Sequence, residues 1–174
     1  MLFRSGLGTV WVRALAEQYQ AKIGLIQPLD GTIQAEELLI KQNAADVLSL
    51  SVDLTQVAEL GKALTQVEQT LGPINGVFLS TPTTNEKSAA PIALLQPHHW
   101  QYNRSTKQQI LQNLAAVIHD HTPDFCCVQS SLSSIIGGVG LAAYSGVNHG
   151  LDALVTEQNQ QSSFPWFSIN WDAW

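Results

Sequence analysis

Charge is scarce in this sequence. Asp, Glu, Lys and Arg together make up 13% of its 174 residues, about half the usual share. Positive charge is scarcest: 8 Lys and Arg stand against 14 Asp and Glu, a net charge of −6. No basic stripe exists, which argues against a nucleic-acid partner. Long hydrophobic runs are also missing. None reaches the roughly 18–20 residues that a membrane span requires, so no membrane role is expected. The opening MLFRSGLGTVW lacks the apolar core and small-residue cleavage site of a secretory signal. The two cysteines, Cys126 and Cys127, are adjacent and cannot staple distant elements. A cytoplasmic chain, or a part of one, is the expectation. What is present is 45% hydrophobic residues, enough for one globular domain around a single core. Gln, Ser, Thr and Asn must supply most of its polar surface.

Short apolar runs alternate with longer helical ones. A very short first strand is expected around Phe3, before Gly6 and Gly8. A helix over 10–20 follows, with Val10, Ala14 and Leu15 on one face. Strands are expected over 22–27, 47–52, 74–79, 124–129 and 166–170. Helices are expected over 32–43, capped by Thr32, and over 55–71, capped by Thr55 and stopped by Gly72 and Pro73. Two more are expected over 95–118 and 144–158, with residues 157–163 (EQNQQSS) as a solvated loop. This alternation implies a Rossmann-like, doubly wound parallel sheet covered on both faces. The expected strand order is 3-2-1-4-5-6, with ligands outside the carboxyl ends of the strands.

The informative residues fall at those ends. Lys107 and Ser131 are 24 positions apart, Ser131 and Tyr144 are 13 apart, and Tyr144 and Asn148 are four apart. With the flanking text DFCCVQSSLSSIIGGVGLAAYSGVNHGLDAL and FPWFSINWDAW, the chain resembles the ketoreductase domain of a modular polyketide synthase, a branch of the short-chain dehydrogenases. The resemblance covers nearly the whole chain and is strongest from Lys107 onward. It implies that Tyr144 is the acid, Ser131 the oxyanion partner, Lys107 the group that tunes the phenol, and Asn148 a relay member. In the family, Tyr protonates a β-keto oxygen while hydride arrives from NADPH. The residue types suit the task. A free phenol has a pKa near 10, and a nearby ammonium favours the phenolate. A Ser hydroxyl can hold the same substrate oxygen. Ser130, Ser133 and Ser134 read as loop and capping residues.

The cofactor loop departs from the pattern. A dinucleotide needs glycines where the first strand turns into its helix, so that the backbone can reach the pyrophosphate. The family reads Thr-Gly-Gly-x-Gly-Gly-x-Gly here, whereas this chain reads Arg4-Ser5-Gly6-Leu7-Gly8-Thr9-Val10-Trp11. Gly6 and Gly8 survive only as vestiges. Ser5, Thr9 and Trp11 stand where the superfamily requires glycine. Trp11 is expected to fill the phosphate pocket or to push the helix from the sheet. After the second strand, IQPLD offers no Arg for the 2′-phosphate of NADPH. After the fourth, Leu79-Ser80-Thr81-Pro82 replaces His-Ala-Ala-Gly, and Pro82 lacks an N–H. From the adenine end only Asp53 remains. No cofactor is therefore expected, or NADPH if the family activity is retained.

Neither stereochemical marker of the family is visible: no Leu-Asp-Asp follows strand four, and Ile136 replaces a Trp eight positions before Tyr144. The family places a structural subdomain before the first strand and a lid after the last. The chain is therefore expected to be a fragment of a megasynthase, a single ketoreductase-like domain over residues 1–174. Its partners would be the neighbouring synthase domains and the acyl carrier protein. His98-His99, His119-Asp120-His121 and the cysteine pair suggest no metal site, because their spacing does not converge ligands and strand alternation sends Cys126 and Cys127 to opposite faces. Trp166, Trp171 and Trp174 read as packing, unless exposure of the last two marks a missing partner. Three functions stay open. They are a redox-inactive architectural domain, a non-reducing epimerase of an α-substituted β-ketoacyl carrier protein, and an NADPH-dependent reductase with an unusual loop.

Overall fold

A computed structural model describes residues 6–29, 43–81 and 86–172. Helix α1 (Gly6–Tyr19) leads into β1 (Lys22–Gln27), and β2 (Asp46–Ser51) pairs with β1 in parallel. Helix α2 (Val57–Leu71) precedes β3 (Gly76–Leu79). A 3-10 turn at Ile92–Leu94 precedes α3 (Pro97–Asn103), which runs through a π-helical stretch, Arg104–Gln108, into α4 (Gln109–Ile118). Then come β4 (Phe125–Ser131), the short α5 (Ser133–Ile136), α6 (Ala142–Gln161) and β5 (Trp166–Trp171).

Among the described residues β1 and β2 form one parallel pair, and β3, β4 and β5 form a parallel three-stranded sheet in that order. The expected order puts a strand around Phe3 between the two groups. That strand, the expected helix over 32–43, Ser5, Pro82 and Trp174 lie outside the described residues. β1 and β4 are buried along most of their length, as continuous apolar runs in a doubly covered parallel sheet should be.

Helices α2, α4 and α6 cover one face. Leu60, Ala63, Leu64, Val67 and Leu71 of α2 meet Ile26, Val77, Leu79, Cys126 and Val128 from the strands. Their i, i+3, i+4, i+7 spacing is the stripe a helix presents to a sheet. The other face is covered by α1, whose Val12 and Ala16 pack with Ile23 and Leu25. Cys126 faces the first core. Cys127 turns the opposite way and accepts a bond from Gln129.

Several expectations are corrected. The inward face of α1 is Val12 and Ala16, with the expected Leu15 packed beside them, while Val10 is exposed. The chain is already helical from Gly6, so the phase of the packed stripe differs. Thr55 does not cap α2. Its amide and hydroxyl bond Asp53 instead, and the helix starts at Val57 behind Gln56. The Gln-rich stretch is helical to Gln161, because Gln is a good helix former and no breaker intervenes. The helix expected over 95–118 contains the π-helical turn. Gly72 ends α2 as expected, with φ of 96° and its N–H bonded to the Glu68 carbonyl.

Candidate functional site

Two elements carry the central pair. On α6, Tyr144, Val147, Asn148, Leu151 and Val155 are all buried. They share one stripe, so Tyr144 and Asn148 face inward because the helix's apolar positions do. On the α3–α4 rod, the π-helical stretch carries Lys107 inward. π turns widen a helix by one residue and recur at functional sites. Ser105 and Thr106 hydroxyls bond back to the Tyr102 carbonyl at 3.1 and 2.7 Å, side-chain bonds of the kind that bend helices.

Lys107 is 3% exposed. Its Nζ lies 4.9 Å from the centre of the Tyr144 ring and donates to Thr81 Oγ1 at 2.8 Å. Burial holds the amine well below its ordinary value, at about 7, since desolvation penalises the charged form. The contact with Tyr144 is through the ring face, a cation–π geometry when the amine is protonated.

Ser131 ends β4, opposite Trp171 of β5. Its Oγ accepts the Ser133 N–H at 3.2 Å, which leaves its own O–H to donate. Ser130 is buried, and its Oγ sits 3.5 Å from the Asn148 carbonyl. Ser134 bonds Asp152 at 2.7 Å, and Asn170 donates to both. That clamp ties the loop after Ser131 to α6 and β5. Asn148 is 0% exposed, and among the described residues neither polar atom of its side chain has a partner. Such a group calls for an ordered water or a ligand. The structure thus joins Lys107 to Tyr144 and sets Ser131 and Asn148 on neighbouring elements. Among the described residues no direct hydrogen bond links the four side chains.

Residues 88–103 and 125–151 hold no Asp, Glu, Lys or Arg. The two loops are tied by the Ala90 N–H to the Gly140 carbonyl, 3.0 Å. Ile92, Leu94, Ile135, Ile136 and Val139 on them are exposed. Asn103 anchors the first loop through the Ser88 carbonyl at 2.8 Å.

At the expected cofactor end, Gly6 is the first residue of α1 and Gly8 lies in its first turn. The Trp11 indole packs on Phe78 of β3, centroids 5.2 Å apart, and edge-on against Trp171 of β5 at 6.5 Å. Trp171 Nε1 in turn donates to Gln129 Oε1. A dinucleotide would need that turn lined by glycine backbone. The Trp11 indole thus takes up space between α1 and the strands β3 and β5. Asp53 has its carboxylate held low by the Thr55 hydroxyl first and the Thr55 amide second. Trp171 is half-buried in this cluster.

Cys126 and Cys127 are free, buried, and pushed up to about 12 and about 11 by desolvation, which makes them inert thiols. His98 and His99 stack at 4.0 Å, and His99 Nδ1 accepts the Gln96 N–H at the start of α3. His121 pairs with Glu68 at 2.9 Å. Among the described residues no three His, Cys, Asp or Glu gather as metal ligands. Also among them, no helix is long and apolar enough to cross a membrane.

Three residues escape a reading by motif: Thr81, Asn103 and Gln129. The only sequence signal for Thr81 and Gln129 is their place towards the carboxyl ends of β3 and β4, where this fold keeps its sites.

A family profile described as "KR domain" matches residues 4–174. Polyketide synthase 19 of Gibberella fujikuroi is 29% identical over 127 residues, 70% of this chain and 5% of that protein. Polyketide synthase PksN of Bacillus subtilis is 26% identical over 97% of this chain and 3% of that protein. The chain thus spans a small fraction of each relative. Among solved structures, a ketoreductase domain from the bacillaene assembly line superposes with a TM-score of 0.83 at 20% identity, covering 97% of this chain and 42% of that one. That likeness is one of fold.

Proposed function

The chain belongs to the KR domain family, and from that premise we propose that it is a redox-inactive ketoreductase-like domain of a polyketide synthase module. It would work in the cytoplasm beside the other synthase domains and the acyl carrier protein, as one domain of a longer protein. The observation that carries the reading is Trp11. Its indole lies against Phe78 and Trp171 where a dinucleotide site needs the closest backbone approach. The test is an NADPH titration of the intact protein by calorimetry. No saturation at millimolar cofactor is expected. Micromolar binding, or turnover of a β-keto thioester with NADPH, would overturn the reading and restore the reductase.

A second reading has its own support. Lys107 on the Tyr144 ring and a Ser131 hydroxyl still able to donate are what enolisation requires: an oxyanion partner and a proton shuttle. The domain would then epimerise the α-carbon of a β-ketoacyl carrier protein. Ser131 would hold the keto oxygen. The Tyr144 hydroxyl would give its proton to that oxygen while a solvent water takes the α-proton, forming the enol; water would then return a proton to the α-carbon on the other face as the enol O–H proton goes back to Tyr144. The uncharged loops around Ile92, Leu94 and Ile136 suit an aliphatic acyl chain. An α-deuterated substrate should lose its label in the wild type, and about a hundredfold or more slowly in Tyr144→Phe, the usual span of acid–base assistance. Equal washout sinks this reading.

A further inference from the structure

Among the described residues Lys107 is anchored by a hydroxyl and by no carboxylate. Its Nζ reaches Thr81 Oγ1 at 2.8 Å, and the two residues are 3% and 6% exposed. We propose that Thr81 is a positioning residue, whose hydroxyl accepts from the Lys107 amine and fixes that amine on the face of the Tyr144 ring.

Three features carry the inference. A lysine stem has four flexible carbons and does not place its own head group. Thr81 can place it, because a β-branched side chain is stiff about its first torsion. Its backbone is also set by the sheet: Leu79 at the end of β3 and Ser80 beyond it are 1% and 4% exposed. On α6 Asn148 is also buried, and among the described residues its amide oxygen has no partner. The amine thus sits with Thr81 while an unsatisfied acceptor waits on α6. Without the hydroxyl it would be free to leave the ring face for that acceptor. The inference rests on the reading of Lys107 as the partner of Tyr144. Its test is separate.

The test is acetylation of the intact protein by limiting acetic anhydride at neutral pH. Modification of Lys107 is followed by peptide mass spectrometry, with exposed Lys62 as internal standard. Thr81→Val keeps the shape and removes the acceptor. Lys107 in that variant should be acetylated about tenfold faster, the scale of one lost hydrogen bond. Thr81→Ser should restore the slow rate. If Thr81→Val does not fold, Thr81→Ala is expected to give the same rise. Wild-type labelling in the variants without the hydroxyl, or no rescue by serine, overturns the proposal. The readout needs no turnover. Altered labelling without any isotope washout in the wild type would refute the epimerase and leave Thr81 in its role.

Discussion

Burying an amine disfavours its charged form, and burial holds Lys107 at about 7 in place of 10.5. The unfolded chain therefore binds more protons than the native one between those values. Stability from this group must rise with pH from about 7 towards 10.5 and stay flat below 7. The slope approaches about 1.4 kcal/mol per pH unit. Lys107→Met should lose it. Urea midpoints measured from about pH 6 to about pH 9 should show the wild type gaining on the variant only in the upper part of that range. The same protonation bears on function. The ammonium that faces Tyr144 is the dominant form only below about pH 7. The sequence brought Lys107 and Tyr144 together only through the motif spacing that carries the family resemblance, and the structure sets the amine 4.9 Å from the ring centre. Thr81 was not legible. Its partner is 26 residues away, and the π-helical turn that aims Lys107 at it leaves no mark in the apolar pattern.

At the scale of elements, the close seat of α2 on β1 depends on Gly24. A methyl group there would stand 2.6 Å from one Val67 methyl and 2.9 Å from the other. Valine cannot rotate freely away within a helix, and Val67 lies in the larger core. Gly24→Ala should therefore destabilise the protein by about 1–3 kcal/mol, as overpacking does. Gly24→Ala with Val67→Ala should recover part of that loss in chemical denaturation. Strands and helices of this layer were readable in advance because their apolar spacing is regular. The errors came where side chains compete with the backbone. The Thr55 hydroxyl bonds the Asp53 carboxylate at 2.6 Å and so is not a helix cap. Along α1 the stripe is Val12 and Ala16, a phase that Val10 and Ala14 do not reveal without the helix start at Gly6.

At the scale of the whole molecule, parallel strands with helices on both faces and a site at the strands' carboxyl ends follow from alternation alone. What alternation cannot supply is how the indole of Trp11 reaches both β3 and β5, since that contact joins residues from the first helix and the last strand. The Trp11–Trp171 pair, 66° apart in plane, also has an optical consequence. Two indoles so close and so inclined couple their transitions, and the folded chain should carry an exciton couplet in its circular dichroism. Trp11→Phe should abolish the couplet while leaving the helical bands in place. An unchanged spectrum would mean that α1 does not rest on β5 in solution. Trp11 thus doubles as a built-in chromophore for the contact between α1 and β5.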